Sequence, residues 1–104
     1  MKKGVCMNKP KPFQVVPTDN YSVYLYYDNG EIRLYDCTWI LNQGGVFTRI
    51  HNIESFKRLC TLMNGTLAWD ISERRDPYNC IDVCPDTVYD ESVRTGKDPL
   101  QRLA

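Results

Sequence analysis

Two Asn-Gly pairs, Asn29-Gly30 and Asn64-Gly65, stand between runs of aromatic, aliphatic and β-branched residues. Both members of such a pair tolerate the positive φ angles of a tight type I′ turn, so each pair predicts a β-hairpin. The first hairpin joins Tyr21 to Asp28 with Glu31 to Cys37, and the second joins Leu59 to Met63 with Thr66 to Trp69. A chain framed by two such local reversals is committed to antiparallel pairing, because parallel strands need long crossovers.

With a two-residue loop, Tyr27 faces Ile32, Leu25 faces Leu34 and Tyr24 faces Tyr35 in the first hairpin. That register predicts a core side of Val23, Leu25, Tyr27, Ile32 and Leu34. The opposite side carries Tyr24, Tyr26 and Tyr35 among Asp28, Glu31 and Arg33.

Helical signals fill the gaps. Asp36 to Gln43, with Trp39, Ile40 and Leu41, predicts a short turn capped by Asp36 or Thr38 and stopped by Gly44-Gly45. A clearer helix opens at Asn52, with Glu54 in its first turn, Lys57 and Arg58 near its end, and Ile53, Phe56, Leu59 and Cys60 at helical spacing. Ser72 to Tyr78 reads as a loop, Cys80 to Val83 as a short strand, and Pro85 as the first residue of a helix that packs through Val88 and Tyr89. The fold class is therefore α+β: a small antiparallel sheet built on two hairpins, with two or three short helices on one face. Residues 1–12 form a flexible arm, 13–92 the single domain, and 93–104 a frayed tail; Met7 is an alternative start to Met1.

The 104 residues suffice for one core that buries roughly two-thirds of the unfolded surface. Hydrophobic residues make up 42% and charged residues 25%, which is globular. Thirteen basic residues balance thirteen acidic ones, so no net field draws the molecule to phosphates or to an anionic membrane. The basic cluster Lys2, Lys3, Lys9 and Lys11 is broken by Pro10 and reads as a solvated tail. No apolar run reaches the ~18 residues of a membrane span, and no signal-peptide core follows the N-terminal charges. The expected compartment is the cytoplasm, with Cys6, Cys37, Cys60, Cys80 and Cys84 as reduced thiols, an odd set without disulfide spacing.

The order of these signals resembles the bacterial domain of unknown function 2442 family, from about Val15 to Ser92. The resemblance is carried by Tyr21-Ser-Val-Tyr-Leu-Tyr-Tyr-Asp-Asn-Gly30, by Tyr35-Asp36, by Gly45-Val-Phe47 and by Phe56. It continues through Asn64-Gly-Thr-Leu-Ala-Trp69-Asp70, Ile81-Asp82 and Pro85-Asp-Thr-Val-Tyr89. It implies a small α+β fold without an established activity, in a setting of regulation. Some members are fused to a helix-turn-helix domain, for which the polar stretch from Val93 is too short.

No catalytic, cofactor or metal site is legible. Cys80-x-x-x-Cys84 with Cys37, Cys60 and His51 lacks the paired knuckles of a zinc site. His51 is the sole histidine and stands where it packs beside a helix start. Asp36, Asp70, Asp82, Asp86, Asp90 and Glu91 fall at strand ends and helix starts, where carboxylates cap backbone amides. Gly44-Gly45 has no phosphate-binding lysine.

The informative feature is the Tyr24, Tyr26, Arg33 and Tyr35 face. Tyrosine and arginine are the residues a protein-binding surface favours, since rings give rigid contact area and hydroxyls tolerate water. Either a helix of the same chain covers this face or a partner does. The expected function is a non-enzymatic protein-binding or regulatory module, antitoxin-like or adaptor in kind, with a protein partner or self-association. The alternatives are a nucleic-acid-binding regulator that stacks bases on these tyrosines, and a small hydrolase using His51 or the clustered carboxylates.

Overall fold

In the computed structural model, which describes residues 9–100, the chain runs through β1 (Pro12–Pro17), β2 (Ser22–Tyr27) and β3 (Ile32–Asp36). The 3-10 helices Thr38–Asn42 and Gly45–Ile50 then lead into α1 (Ile53–Leu59). The remainder is β4 (Cys60–Met63), β5 (Thr66–Trp69), β6 (Ile81–Asp82), α2 (Pro85–Glu91) and β7 (Val93–Arg94). Lys2, Lys3, Cys6 and Met7 lie outside the described residues, as do residues 101–104.

The fold is α+β, with every strand pair antiparallel. The two hairpins do not share one sheet, however. The first belongs to a four-stranded sheet ordered β1-β2-β3-β7, and the second to a three-stranded sheet ordered β4-β5-β6. Val93–Arg94 join the first sheet through Arg33 and Leu34, so regular structure runs two residues past the expected boundary at 92.

The second hairpin has the expected turn, with Asn64 at φ 56° and Gly65 at φ 77° and Met63 paired to Thr66. The first does not. Its loop holds three residues: Tyr27 N donates to Glu31 O, Gly30 N donates to Tyr27 O, and only Gly30 has positive φ. That is the type I turn with a glycine bulge, the next commonest hairpin connection. The extra residue slips the register by one, pairing Tyr26 with Ile32, Leu25 with Arg33, Tyr24 with Leu34 and Val23 with Tyr35. Because side chains alternate, one step exchanges the two faces of β3. Tyr35 turns into the core, and Ile32 and Leu34, expected there, turn outward beside Tyr24 and Tyr26. The turn is held from outside by Asp28, whose N–H donates to Lys11 O while its carboxylate accepts from Lys11 N.

α1 starts as its sequence predicts. Asn52 Oδ1 accepts from Glu54 N and Ser55 N, and Phe56 and Leu59 are buried. Full burial of a side chain such as Phe56 contributes about 1.5–3 kcal/mol. Trp69 lies against Phe56 with its Nε1 donating to Phe56 O, and Tyr21 makes an edge contact with the Phe56 ring. Around them gather Val23, Leu25, Tyr27, Tyr35, Ile40, Ile50, Leu67, Ile81 and Val88, a core that takes in both sheets and the helices. Among the described residues no helix is long and apolar enough to cross a membrane.

Candidate functional site

The register of the first hairpin divides the four proposed contact residues. Tyr24 and Tyr26 stay on the outer face of the four-stranded sheet, while Arg33 and Tyr35 move to the inner one. Tyr35 is 2% exposed, and burial pushes its hydroxyl up to about 12. Among the described residues the buried Trp39 Nε1 has no hydrogen-bond partner.

Arg33 is spent on holding α2. Its Nε donates to Ser92 Oγ at 2.7 Å, a terminal nitrogen donates to Ser92 O at 2.9 Å, and the other pairs with Glu31 at 3.2 Å. Its guanidinium stands 4.2 Å from the centre of the Tyr89 ring, a cation–π distance. Tyr89 in turn donates to Glu31 and packs edge-on against Tyr27. The Tyr89 hydrogen bond, ahead of the others, holds the Glu31 carboxyl below its ordinary range.

The outer face has another membership. Residues paired across strands share a face, so Val16 with Tyr24, Tyr24 with Leu34, Tyr26 with Ile32, and Leu34 with Val93 form one surface across four strands. At its margin Phe13, 62% exposed, stands with its ring 6.3 Å from that of Tyr26, and Val93 is 67% exposed. Two clefts share Tyr24 as a wall. One, of about 340 Å³, is lined by Thr18, Asp19, Asn20, Ser22 and Leu34; the other, of about 240 Å³, by Lys97, Asp98 and Pro99. The Tyr26 hydroxyl donates to Asp98 and accepts from Leu100 N at 3.0 Å. Its pKa is raised, first by burial and then by that carboxylate. Ile32 and Leu34 were expected on the core side because their outward placement depends on one extra loop residue, and Val93 was read as the start of a frayed tail.

The remaining candidates are held in structural contacts. His51 Nε2 lies 3.0 Å from Ile40 O and 2.9 Å from Gln43 O, both acceptors, so this nitrogen carries the hydrogen and closes the first 3-10 helix. Its carbonyl accepts from the Tyr21 hydroxyl at 2.6 Å. Asp36 caps Thr38 through N–H and Oγ1. Asp70 accepts from Ser72 Oγ, Glu73 N and Arg75 N, which holds Glu73 and Arg75 at positive φ and keeps its own pKa low, chiefly through Ser72. Asp82 accepts from Asn64, and Asp90 pairs with Lys9 at 2.5 Å.

Cys37, Cys60, Cys80 and Cys84 are free thiols. Burial pushes Cys37 up and Cys60 to about 12, whereas the N–H of Thr87 draws Cys84 down. Among the described residues no three His, Cys, Asp or Glu side chains are grouped to hold a metal ion. Arg58, Arg75, Asp70 and Glu73 line a further cleft of about 310 Å³, with Arg58 paired to Glu73 at 2.6 Å and Arg75 bonded to Thr61 and Leu62.

Comparison with curated proteins and with solved structures found no match to either. A family model described as a protein of unknown function, DUF2442, matches residues 13–94, most of the chain, and the protein belongs to that family.

Proposed function

We propose that this protein is a protein-binding module of a regulatory or adaptor kind, and that its contact surface is the outer face of the four-stranded sheet. The observation that carries this reading is the continuity of Val16, Tyr24, Tyr26, Ile32, Leu34 and Val93 across all four strands, opposite the face that packs the core. A sheet normally buries one face and solvates the other with polar residues. Here the centre of the second face is aromatic and aliphatic as well, with Gln14, Ser22 and Asp36 as its polar members and Phe13 at the margin. Aromatic anchors flanked by aliphatic side chains are the composition of an interface centre. Stacking of bases on the tyrosines would call for several cations around them, and Lys97 is the cation that lines the Tyr24 clefts. Protein is therefore favoured over nucleic acid.

The test is affinity capture from native cell lysate with wild type and a Phe13→Ser/Tyr24→Ala/Val93→Ser variant. All three positions are at least partly exposed, so the variant is expected to keep the wild-type circular dichroism spectrum. A specific protein retained by wild type and reduced at least about ten-fold with the folded variant supports the reading, since a central aromatic anchor is worth about 2 kcal/mol or more. Equal retention by both removes the outer face from consideration.

A further inference from the structure

The outer face already holds one occupant, supplied by the chain itself. After β7, Thr95 N donates to Ile32 O at 2.8 Å, and the chain then turns across the sheet. Asp98 receives the Tyr26 hydroxyl and also accepts from Leu100 N at 3.2 Å, an Asx turn around Pro99. Leu100 N donates to the Tyr26 oxygen at 3.0 Å as well, so one hydroxyl is grasped from both sides. Lys97, Asp98 and Pro99 complete the wall of the cleft beside Tyr24. Pro99 and Leu100 themselves remain exposed, and the segment adds little to the core.

A short segment held by a few hydrogen bonds is an intramolecular ligand whose local concentration is on the order of millimolar. A partner that offers the same chemistry with more apolar area displaces it readily. We propose that the Lys97–Leu100 strap masks the binding face, and that the partner docks there an acidic turn of the Asp-Pro-apolar type whose carboxylate replaces Asp98 at the Tyr26 hydroxyl. This rests on the outer face being the contact surface. It adds the chemistry of the partner and the reason that binding is regulated: the face is available only in the fraction of molecules whose strap is released, and apparent affinity scales with that fraction.

The experiment titrates a synthetic peptide with the sequence of residues 95–104 into isotope-labelled full-length protein, as wild type, Asp98→Ala, and Asp98→Ala/Tyr26→Phe. Amide shifts on β2 and β3 are followed. In Asp98→Ala the peptide is expected to perturb residues around Tyr24 and Tyr26 and to bind about five-fold more tightly than to wild type, as removal of a competing charged hydrogen bond implies. Tyr26→Phe in the same background is expected to abolish that gain while leaving the spectrum otherwise folded. Equal affinity for wild type and Asp98→Ala, or shifts confined to another surface, overturns the strap.

Lysate capture with the Asp98→Ala bait separates this outcome from that of the proposed function. A gain in peptide binding with no specific protein retained upholds the strap and removes the protein-binding reading. A protein retained equally by wild type and Asp98→Ala does the reverse.

Discussion

Arg33 illustrates how a surface arginine becomes structural. Its guanidinium makes two hydrogen bonds to Ser92, one ion pair to Glu31 and a stacked contact with Tyr89, so it ties β3 to the C-terminal end of α2. Replacement by alanine removes both Arg33 donors from the hydroxyl and carbonyl of buried Ser92, whose hydroxyl keeps its bond to Tyr89 O. Arg33→Ala is expected to lower unfolding free energy by about 2 kcal/mol, measured by urea titration, while capture of the protein partner is unchanged once folding is restored by lower temperature. Asp70 makes a different kind of statement. Its pKa lies below the ordinary carboxylate value because Ser72 and the Arg75 and Glu73 amides stabilise the ionised form. A lowered folded-state pKa contributes stability above the unfolded value of 3.8 and loses it as pH falls through the folded one. Asp70→Asn is therefore expected to be less stable than wild type at pH 6, and the two urea midpoints are expected to converge below pH 3.8. A difference that persists at low pH would assign the Asp70 contribution to something other than its charge.

At the scale of elements, the helices were more legible than the first hairpin. Asn52, Glu54, Phe56 and the Lys57-Arg58 pair all act locally, within one turn of the residue they influence, and the helix lies where they place it. Asn52→Ala is expected to cost about 1 kcal/mol through loss of the Glu54 and Ser55 amide bonds, again read by urea titration. Asn64-Gly65 was equally local. At Asn29-Gly30 the dipeptide allowed both a two-residue and a three-residue loop, and contacts far along the chain chose between them: Lys11 grips Asp28, and Tyr89 receives Arg33. Those partners are remote in sequence, so the register and the membership of both faces were not readable from the hairpin alone. The same distance hides β7, a two-residue strand that exists only because β3 offers an edge. Deletion of Asp28 would leave Asn29-Gly30 as a two-residue loop joining Tyr27 to Glu31, which keeps the pairing of Tyr26 with Ile32 and of Val23 with Tyr35. That variant is expected to keep cooperative unfolding with a lowered urea midpoint, because the faces of β3 are unchanged while both bonds between Asp28 and Lys11 are lost.

For the molecule as a whole, both sheets share one core in which Trp69 and Phe56 are central, and the first sheet is left with a second apolar face. Of the four residues expected to share a face, Tyr24 and Tyr26 lie on the outer one and Arg33 and Tyr35 on the inner one. Tyr24 and Tyr26 were identified by alternation along a single strand, which survives any register, whereas Arg33 and Tyr35 depended on the pairing and were lost with it. Their places were taken by Ile32, Leu34 and Val93, and by the strap that Asp98 fastens to Tyr26. The central claim is that a protein partner covers this outer face. Hydroxyl-radical footprinting of the protein alone and in its captured complex tests it most directly, because Phe13, Tyr24 and Val93 report the face while Tyr78, 97% exposed on the loop before β6, reports the remainder of the surface. Protection of Phe13, Tyr24 and Val93 with Tyr78 unchanged is the expected result. Protection at Tyr78 with the outer face still reactive would contradict the account.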